Sequence, residues 1–398
     1  MRSIKEIFII GHGPSSSHTM GPAFACEYIL KKYRDIKNIK VTLYGSLALT
    51  GKGHLTNKII DLKFKDIPHE IIFDTVSKVK HPNTMIFIVT DKDNIEHQET
   101  ILSIGGGTIV TEDKSYLQDK ETYPHEHLAD ILSYCKENNL TLVDYIKKYE
   151  NEDIVNYIEK VYLAMKDARD RGVKIEGVLP GSLKVTRKAK RMLERANSLK
   201  DGQNDIELQM AITSFAVAEE NASGGIVVTA PTCGSAGVIP GVITYCKMKK
   251  ISHESIINGL LVAGLFGIIA KTNASVSGAE CGCQAEVGVA CSMGAALLGT
   301  ALGFSNECIA QCAEIALEHS LGLTCDPVGG YVQIPCIERC AMFSLKAVDA
   351  VTLTKLIPSN EAKVSYDDIL KTMYQTGKDL RKGYRETAEA GLAKIINK

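Results

Sequence analysis

Residues 130–172, DILSYCKENNLTLVDYIKKYENEDIVNYIEKVYLAMKDARDRG, mark the point where the sequence changes from one class of structure to another. Their apolar residues recur with the spacing of helices, as they do again in residues 255–271, 307–323 and 341–357. Before this stretch, KVTLY (40–44), TMIFIVT (84–90) and ETILSIGGGTIVTE (99–112) are typical of short strands. The pattern predicts an α+β domain over residues 1–145 and an all-helical domain over residues 146–398.

The triple glycine at residues 105–107 interrupts the last of these strand patterns. No helix pattern follows it, as a phosphate-binding loop would require. A glycine run inside a strand pattern is typical of a hairpin turn or a bulge. We therefore expect a hairpin here rather than a nucleotide site.

The composition is that of a soluble globular protein. Of 398 residues, 45% are hydrophobic and 23% charged, and 46 basic residues against 47 acidic ones leave a net charge of −1. Such a chain offers no basic field for nucleic acid or for an anionic membrane. The start of the chain shows no secretory signal, and the uncharged run at residues 287–304 is interpreted as a buried core helix. These features predict a cytoplasmic protein.

Cysteine and histidine are unevenly distributed. Ten of the 12 cysteines lie at or after residue 233, whereas eight of the ten histidines lie in the first 127 residues. A chain of this length can bury a core without disulfides, so the thiols are expected to be reduced. A site that uses both residue types would need a contribution from each predicted domain.

The segment GPSSSHTMGP, residues 13–22, precedes a helical pattern. Ser15, Ser16 and Ser17 could cradle a carboxylate or phosphate with their hydroxyls and with free backbone N–H groups. Simple capping of the helix by one serine is the alternative.

The segment GSLALTGKGH, residues 45–54, is only superficially similar to a phosphate-binding loop, because Gly53 stands where that motif needs Ser or Thr. Flanking glycine leaves His54 accessible on a loop, as a general base or a substrate ligand. His81, just before a strand, is a second candidate. Both are also compatible with ordinary surface histidines.

The thiol-rich half contains two glycine-rich or proline-rich turns with cysteine. Cys233 lies in PTCGSAG, and Cys325 lies in LTCDPVGG. Pro335 suits the start of a helix, which would place Cys336 in a first turn whose dipole favours the thiolate. The spacing matches neither a zinc C-x2-C pair nor a ferredoxin, so a metal site and buried structural cysteines both remain open.

Taken together, the motifs resemble the iron–sulfur-dependent L-serine ammonia-lyases, or L-serine dehydratases, in single-chain form. They occur in family order over essentially the whole chain: GPSSSHTMGP (13–22), LYGSLALTGKGH (43–54), HPNTM (81–85), SIGGG (103–107), EGVLPGSLKV (176–185), EENASGGIVVTAPT (219–232), NASVSGAECGCQAEVGVACSM (273–293), GLTCDPVGGYVQIPCIER (322–339) and TMYQTGKDLRKGYRETAEAGLA (372–393). The resemblance implies a beta-type α+β domain similar to the small-molecule-binding domains of phosphoglycerate dehydrogenases. It also implies an alpha-type helical domain with a 4Fe-4S cluster.

In the family three cysteines hold the cluster and leave one iron open. The resemblance places Cys325 and Cys336 at two of these positions. Where many members carry the third cysteine this chain has Ala236, and we expect Cys233 on the same loop to substitute. The alternatives for the third ligand are Cys281 and Cys340.

The resemblance implies that L-serine is deaminated to pyruvate and ammonia, with the open iron acting as a Lewis acid on the hydroxyl. A protein base removes the Cα proton. The expected catalytic residues are His54 or His81 as base, and His18, which would hold the carboxylate together with Ser15, Ser16 and Ser17. The residues expected to orient the ammonium or hydroxyl are Asn221, Asn273 and Ser275.

Two other functions were weighed against this one. A pyridoxal-phosphate dehydratase would need a Schiff-base lysine beside a glycine-rich loop, a context that Lys52 and Lys271 lack. An amino-acid-sensing or redox regulatory protein could use thiols such as Cys281 and Cys283 as a switch. A homodimer is the default expectation. The sequence leaves open activity on threonine or cysteine and any regulatory ligand.

Overall fold

The structure is a computed structural model that describes residues 1–111, 121–199 and 205–396. The chain divides into two compact units. One consists of Gly11–Lys120, and the other of Met1–Ile10 together with Glu121–Lys398. A short strand, β1 (Ile10–His12), crosses the boundary between them along the chain.

The unit Gly11–Lys120 is built on a mixed five-stranded sheet. Its strands are β2 (Ile36–Tyr44), β3 (His69–Asp74), β4 (Thr84–Asp91), β5 (Glu96–Gly105) and β6 (Thr108–Thr111). They lie in the order β3-β2-β4-β5-β6, with β3 parallel to β2 and the other pairs antiparallel. Pairing of Val41 with Phe87 places β2 and β4 in a register that buries alternate side chains.

Helices cover the buried face of this sheet. They are a π-helix (Ser16–Met20), α1 (Gly21–Lys32), α2 (Gly45–Thr50) and α3 (Thr56–Lys63). Ile29 of α1 and Ile60 of α3 pack with Val41, Leu43 and Phe87 of the sheet in one hydrophobic core. The predicted α+β character of the N-terminal region is confirmed as an α/β arrangement with a mixed sheet.

The triple glycine forms the predicted hairpin turn. Gly105 ends β5, and all three glycines have positive φ, of 97°, 58° and 81° for Gly105, Gly106 and Gly107. The register between β5 and β6 shifts between Ser103 and Gly105. Positive φ is a conformation that glycine adopts without strain, which explains the run of three.

The second unit is mostly helical. It contains α4 (Leu128–Glu137), α5 (Leu142–Tyr149), α6 (Ile154–Gly172), α7 (Ala189–Asn197), α8 (Ile206–Ala222), α9 (Val238–Met248), α10 (His253–Asn273), α11 (Gly278–Cys281), α12 (Val289–Ala301), α13 (Asn306–Glu318), α14 (Cys336–Thr354), α15 (Tyr366–Asp379) and α16 (Gly391–Ile396). A π-helix (Gln284–Gly288) leads into α12. Three-residue 3-10 helices form at Ile4–Glu6, Val328–Gly330, Ser359–Glu361 and Lys382–Tyr384.

Helices α10 and α12 pack against each other at the centre of this unit. Within the described residues α10 is the one helix long and apolar enough to cross a bilayer, but 78% of its most apolar window is buried in the protein. Helix α12 is buried along almost its whole length, as predicted for residues 287–304. Both helices are core elements of the unit.

One prediction about the second unit needs correction. It is not all-helical, because β7 (Ile226–Val228) and an isolated bridge between Val178 and Thr186 are extended. Residues 1–10 join it because Ile4, Ile7 and Phe8 are buried in its core. The predicted boundary after residue 145 falls within α5, whereas the compact units change at residue 121.

Candidate active site

The helical unit contains a group of thiols from three separate segments, of which Cys283 and Cys325 are buried and Cys336 is half-buried. Cys283 precedes the π-helix Gln284–Gly288, Cys325 lies on the loop before α14, and Cys336 is the first residue of α14. The Cys283 N–H donates to the carbonyl of Leu323 at 3.0 Å, which ties the first segment to the second. The sulfurs of Cys283 and Cys325 interact with each other.

Cys283 is the thiol in this group that favours its charged form. The interaction with Cys325 lowers the pKa of Cys283 to about 6, although burial acts in the opposite direction, and a hydrogen bond from Arg339 adds to the lowering. Arg339 is held in place because its Nη1 donates to the carbonyl of Thr324 at 2.8 Å. A guanidinium beside several thiols stabilises a thiolate among them.

The other thiols of the group are held in the neutral form. The interaction with Cys283 and burial raise the pKa of Cys325, and burial raises the pKa of Cys336. At Cys336, burial opposes the thiolate that a position in the first turn of α14 favours. Cys340, one turn along α14, donates to the carbonyl of Gly234 at 3.3 Å.

A glutamate lies beside the thiols. Glu286 accepts from the Thr232 hydroxyl at 2.9 Å, and its other oxygen lies 3.6 Å from the Cys325 sulfur. Burial, with Glu386 and Cys283 nearby, raises the pKa of Glu286. Cys233, next to Thr232, is buried, and burial together with Glu286 raises the pKa of its thiol. The predicted ligand Cys233 therefore lies on the glutamate side of the group.

Gly278 allows this close packing. A Cβ atom at Gly278 would lie 2.5 Å from Oε2 of Glu286 and 3.2 Å from the sulfur of Cys325. The first distance is shorter than a van der Waals contact, so a side chain here would displace the carboxylate or the thiol.

The C-terminal segment folds back onto the Cys325 loop. The Cys325 N–H donates to the Tyr384 carbonyl at 2.8 Å, and the Glu386 N–H donates to the Cys325 carbonyl at 2.7 Å. Burial raises the pKa of Glu386 to about 7, and the backbone N–H of Ala279 opposes this shift. The motif around Glu386 thus supplies a second carboxyl group next to the thiols.

Within residues 1–111, 121–199 and 205–396, no three or more His, Cys, Asp or Glu side chains converge closely enough to hold one metal ion. Cys281 packs closely against Gly377 of α15. A Cβ atom added at Gly377 would lie only 2.6 Å from the Cα and from the sulfur of Cys281.

The unit Gly11–Lys120 contains a separate cluster of imidazoles and hydroxyls. Nδ1 of His18 lies 2.8 Å from the Ser17 hydroxyl, and Nε2 of His18 lies 3.0 Å from the Ser46 hydroxyl. The Ser15 hydroxyl accepts from the His18 N–H at 3.2 Å and lies 3.3 Å from the Ser17 hydroxyl. The capping interpretation of the serine motif is confirmed, since Ser15 caps the π-helix. Ser16 is buried in the first turn of that helix.

His54 is buried and not accessible as the flanking glycine predicted, because it packs against His18 with ring centroids 4.7 Å apart. Nδ1 of His54 lies 3.2 Å from the Thr50 carbonyl, which only accepts hydrogen bonds, so Nδ1 carries the proton. Nε2 of His54 is then a buried acceptor, and it has no hydrogen-bond partner in the described part of the chain. Burial lowers the pKa of His54 to about 4, and burial and His54 lower that of His18. Both imidazoles are neutral at pH 7.

His81 lies on a loop that contacts the same region of this unit. The Ser46 N–H donates to the carbonyl of Pro82 at 2.7 Å. Nδ1 of His81 accepts from the Asn83 N–H at 3.1 Å, so Nε2 carries the proton in this arrangement. The three predicted catalytic histidines therefore lie in one part of this unit, and Ser46 joins them.

The three residues expected to orient the substrate are held in different ways. Asn221 is buried near the end of α8. The amide of Asn273 donates to the carbonyls of Glu126 at 2.7 Å and Ile269 at 3.0 Å, contacts that stabilise the end of α10. The hydroxyl of Ser275 donates to Glu280. The structure does not bring Asn273 or Ser275 into contact with the thiol group.

Sequence reasoning missed Cys283, Glu286, Arg339 and Glu386 at the thiol group. Each lies within a motif quoted for the family resemblance. The sequence identifies these residues as charged or as thiols, but it does not show that they meet. The pairing of Cys283 with Cys325 depends on the hydrogen bond to Leu323, which links segments far apart in the chain.

Comparison with known protein families identifies the class of protein to which this chain belongs. Two family models match the chain: the serine dehydratase alpha chain over residues 84–393, and the serine dehydratase beta chain over residues 3–65. Both are present in one polypeptide.

Full-length relatives agree with this. The chain is 39% identical to L-serine dehydratase 2 of Escherichia coli K12 over 454 aligned positions, which cover 100% of this chain and 99% of the relative. It is 38% identical to the L-serine dehydratases of Helicobacter pylori 26695 and Streptomyces coelicolor, with 98% or more of each chain covered. The chain belongs to the serine dehydratase family and is a carbon–nitrogen lyase.

Proposed function

We propose that the chain is an L-serine ammonia-lyase that uses a 4Fe-4S cluster held by the thiol group of its helical unit. In this reaction L-serine loses its Cα proton and its hydroxyl group, and the resulting aminoacrylate tautomerises to an imine that water hydrolyses to pyruvate and ammonia. The observation that carries the proposal is the group of Cys283, Cys325 and Cys336 around Arg339.

The donor set suits an iron–sulfur cluster better than a single ion. Thiolates are the usual ligands of such clusters, and in a 4Fe-4S cluster each cysteine binds a different iron. The thiols of a cluster site therefore need not converge on one point. Arg339 favours the deprotonated sulfur that binds iron.

The contacts favour Cys283 over Cys233 as the third ligand. Cys283 interacts with Cys325 and lies beside Arg339, whereas the charged neighbour of Cys233 is Glu286. A carboxylate opposes thiolate formation, and a guanidinium promotes it. The alternative ligands Cys281 and Cys340 pack against α15 and against the Gly234 carbonyl, respectively.

When bound, the cluster supplies a Lewis-acidic iron that makes the substrate hydroxyl a better leaving group. The chain supplies the proton acceptor. His54 is the favoured base because its Nε2 is unprotonated and without a hydrogen-bond partner in the described chain. His18, with Ser15, Ser16 and Ser17, is proposed to hold the substrate carboxylate, and Asn221 to orient its polar groups. Asn273 and Ser275 support these roles less well, because their side chains are bound within the helical unit.

A pyridoxal-phosphate mechanism receives less support. The ammonium of Lys271 pairs with Glu6 at 2.8 Å, and that of Lys52 lies over the Phe73 ring at 5.3 Å from its centroid. A Schiff-base lysine needs a neutral amine that faces a cofactor phosphate site. Neither lysine shows such surroundings.

Anaerobic purification of the full chain tests the proposal. The expected result is a brown protein with about four irons per chain, from the cluster stoichiometry, that bleaches in oxygen and forms pyruvate from L-serine. A yellow protein whose activity survives oxygen and chelators would establish pyridoxal phosphate instead. A colourless, inactive protein after cluster reconstitution would favour the sensor function.

Replacement of His54 by Asn tests the assignment of the base. Asn keeps a donor for the Thr50 carbonyl but cannot accept the proton, so kcat should fall by about 10²- to 10⁴-fold while iron content is unchanged. His81→Asn is the matched variant. If His81→Asn shows that loss and His54→Asn does not, His81 is the base.

A further inference from the structure

The helical unit has a cavity of about 450 Å³ where helices α6, α8 and α9 meet. This volume lies in the range of small-molecule sites in proteins. Its lining residues all lie between Tyr162 and Met248 in the chain. None of these lining residues belongs to the thiol group or to the imidazole cluster. The proposed lyase reaction makes no use of it.

One wall of the cavity is apolar. Met165 and Ile243 are buried core residues, and Pro240 lies beside Ile243 on α9. Met248 closes the wall at the end of α9 with 40% of its surface exposed. An exposed methionine at the mouth of an apolar cavity provides a contact that adapts to the shape of a bound group.

The lining also carries excess positive charge. Lys166, Arg169 and Lys247 line the cavity together with a single carboxylate, that of Asp170. Asp170 already pairs with Lys166 at 3.4 Å and with Arg169 at 3.0 Å. The ammonium of Lys247 has no hydrogen-bond or ion-pair partner in the part of the chain that the structure describes. Three cations face one carboxylate here, although the whole chain has a net charge of −1.

Two hydroxyl groups add a polar anchor to the lining. The Thr244 hydroxyl donates to that of Thr213 at 2.9 Å, and both residues line the cavity. An apolar wall with a few placed polar groups and a charge of one sign is the usual composition of a site for a small organic ion.

We propose that this cavity binds an organic monoanion with an apolar body, such as an aryl or branched-alkyl carboxylate. The anionic group pairs with Lys247 and the apolar body packs on Met248 and Ile243. Phosphate-rich ligands fit less well, because the cavity is lined by side chains within helices rather than by a glycine-rich loop. The site is separate from the proposed lyase chemistry.

The test uses 8-anilinonaphthalene-1-sulfonate as a fluorescent probe on the purified full-length chain. Saturable binding at one site is expected, with displacement by 3-phenylpropionate but not by its neutral amide. Lys247→Gln should raise the probe Kd about 2- to 5-fold, the effect of one partly exposed ion pair. The probe Kd should also rise with salt, because exposed charges are screened.

The matched control is Lys249→Gln, which removes the same charge from an exposed lysine two residues away that does not line the cavity. Met248→Ser should weaken the probe and the neutral N-phenyl-1-naphthylamine alike, whereas Met342→Ser, at an exposed methionine of α14, should weaken neither. Equal Kd values for wild type, Lys247→Gln and Met248→Ser would overturn the proposal, as would non-saturable binding. Turnover of L-serine by Lys247→Gln should match wild type, so this outcome is independent of the lyase assignment.

Discussion

The sulfurs of Cys325 and Cys283 interact, and this contact moves the pKa values of the two thiols in opposite directions. It favours the thiolate at Cys283 and the neutral thiol at Cys325, whose S–H donates to Oε2 of Glu286 at 3.6 Å. Arg339 stabilises the charged partner from the side of α14. The structure thus pairs a thiol that favours its charged form with a neutral thiol, beside the guanidinium of Arg339.

Replacement of Cys283 by Ser should abolish cluster binding. Serine keeps the size of the side chain but removes the thiolate, so iron per chain after anaerobic reconstitution should fall by more than half, with loss of the visible absorption of the cluster. Cys308→Ser, at a half-buried cysteine of α13, should retain the iron of wild type. If Cys283→Ser keeps its iron and Cys233→Ser loses it, Cys233 is the third ligand.

The neutral imidazole of His54 should make the metal-free chain sensitive to acid. The pKa of His54 is lowered to about 4 by burial, from an ordinary value of 6.5. Because the pKa is lower in the folded chain, the unfolded chain binds the proton at a higher pH than the folded chain does. The stability that comes from the neutral imidazole is therefore present above pH 6.5 and is lost as the pH falls towards 4. Between pH 7 and pH 5 the loss is about 2 kcal/mol by linkage.

Urea unfolding at pH 7 and at pH 5 measures this effect. His54→Asn should reduce the change in unfolding free energy between the two pH values by about 2 kcal/mol, because asparagine does not titrate. His319→Asn, at an exposed histidine, should leave the change as in wild type. If the unfolding free energy of His54→Asn depends on pH as that of wild type does, protonation of His54 does not destabilise the folded chain.

The elements that depend on local pattern were predictable from the sequence. The short strands, the hairpin at Gly105, Gly106 and Gly107 and the buried helix α12 follow from spacing and from glycine chemistry. The packing of residues 1–10 in the helical unit was not predictable, because the sequence around Ile4 and Phe8 does not indicate which of the two cores these side chains join.

The site was predictable in part, for a related reason. The histidine and serine motifs could be identified because their hydroxyls and imidazoles interact over short stretches of chain, as between Ser17 and His18. At the thiol group, the pKa of Cys336 depends on burial, which a helix-start pattern does not report. In the sequence Cys283 looks no different from Cys281, and only tertiary contacts set them apart.

Gly278 and Gly234 provide a matched pair at Glu286. A Cβ at Gly278 would lie 2.5 Å from one Glu286 oxygen, whereas a Cβ at Gly234 would lie 3.6 Å from the other, an ordinary contact. Gly278→Ala should therefore lower the free energy of unfolding by about 1–3 kcal/mol, the usual effect of overpacking. Gly234→Ala should change it by less than about 0.5 kcal/mol.

Urea unfolding of the metal-free variants, followed by circular dichroism, gives both values. The same variants loaded with iron should differ in cluster lifetime in air, because displacement of Glu286 disturbs the Cys325 thiol that contacts it. Equal stability of the two variants would mean that the Glu286 side chain moves aside without cost.

The C-terminal segment should be released when Asp326 is removed. One Asp326 oxygen accepts from the Leu392 N–H at 2.8 Å, and the other accepts from the Thr324 hydroxyl at 3.0 Å. Loss of a buried charged acceptor costs about 1–3 kcal/mol, which corresponds to an increase of about fivefold to a hundredfold in the population of the open segment. Trypsin cleavage after Lys382 and Arg385 should accelerate by that factor in Asp326→Ala, because cleavage follows the open population.

Asp379→Ala is the control, since Asp379 is exposed and accepts a hydrogen bond only from Gln375 on its own helix. Its cleavage rate should equal that of wild type. Mass spectrometry of the released peptides distinguishes cleavage in this segment from cleavage elsewhere. A rate for Asp326→Ala that matches Asp379→Ala would show that the backbone bonds between Cys325 and residues Tyr384 and Glu386 hold the segment without help from Asp326.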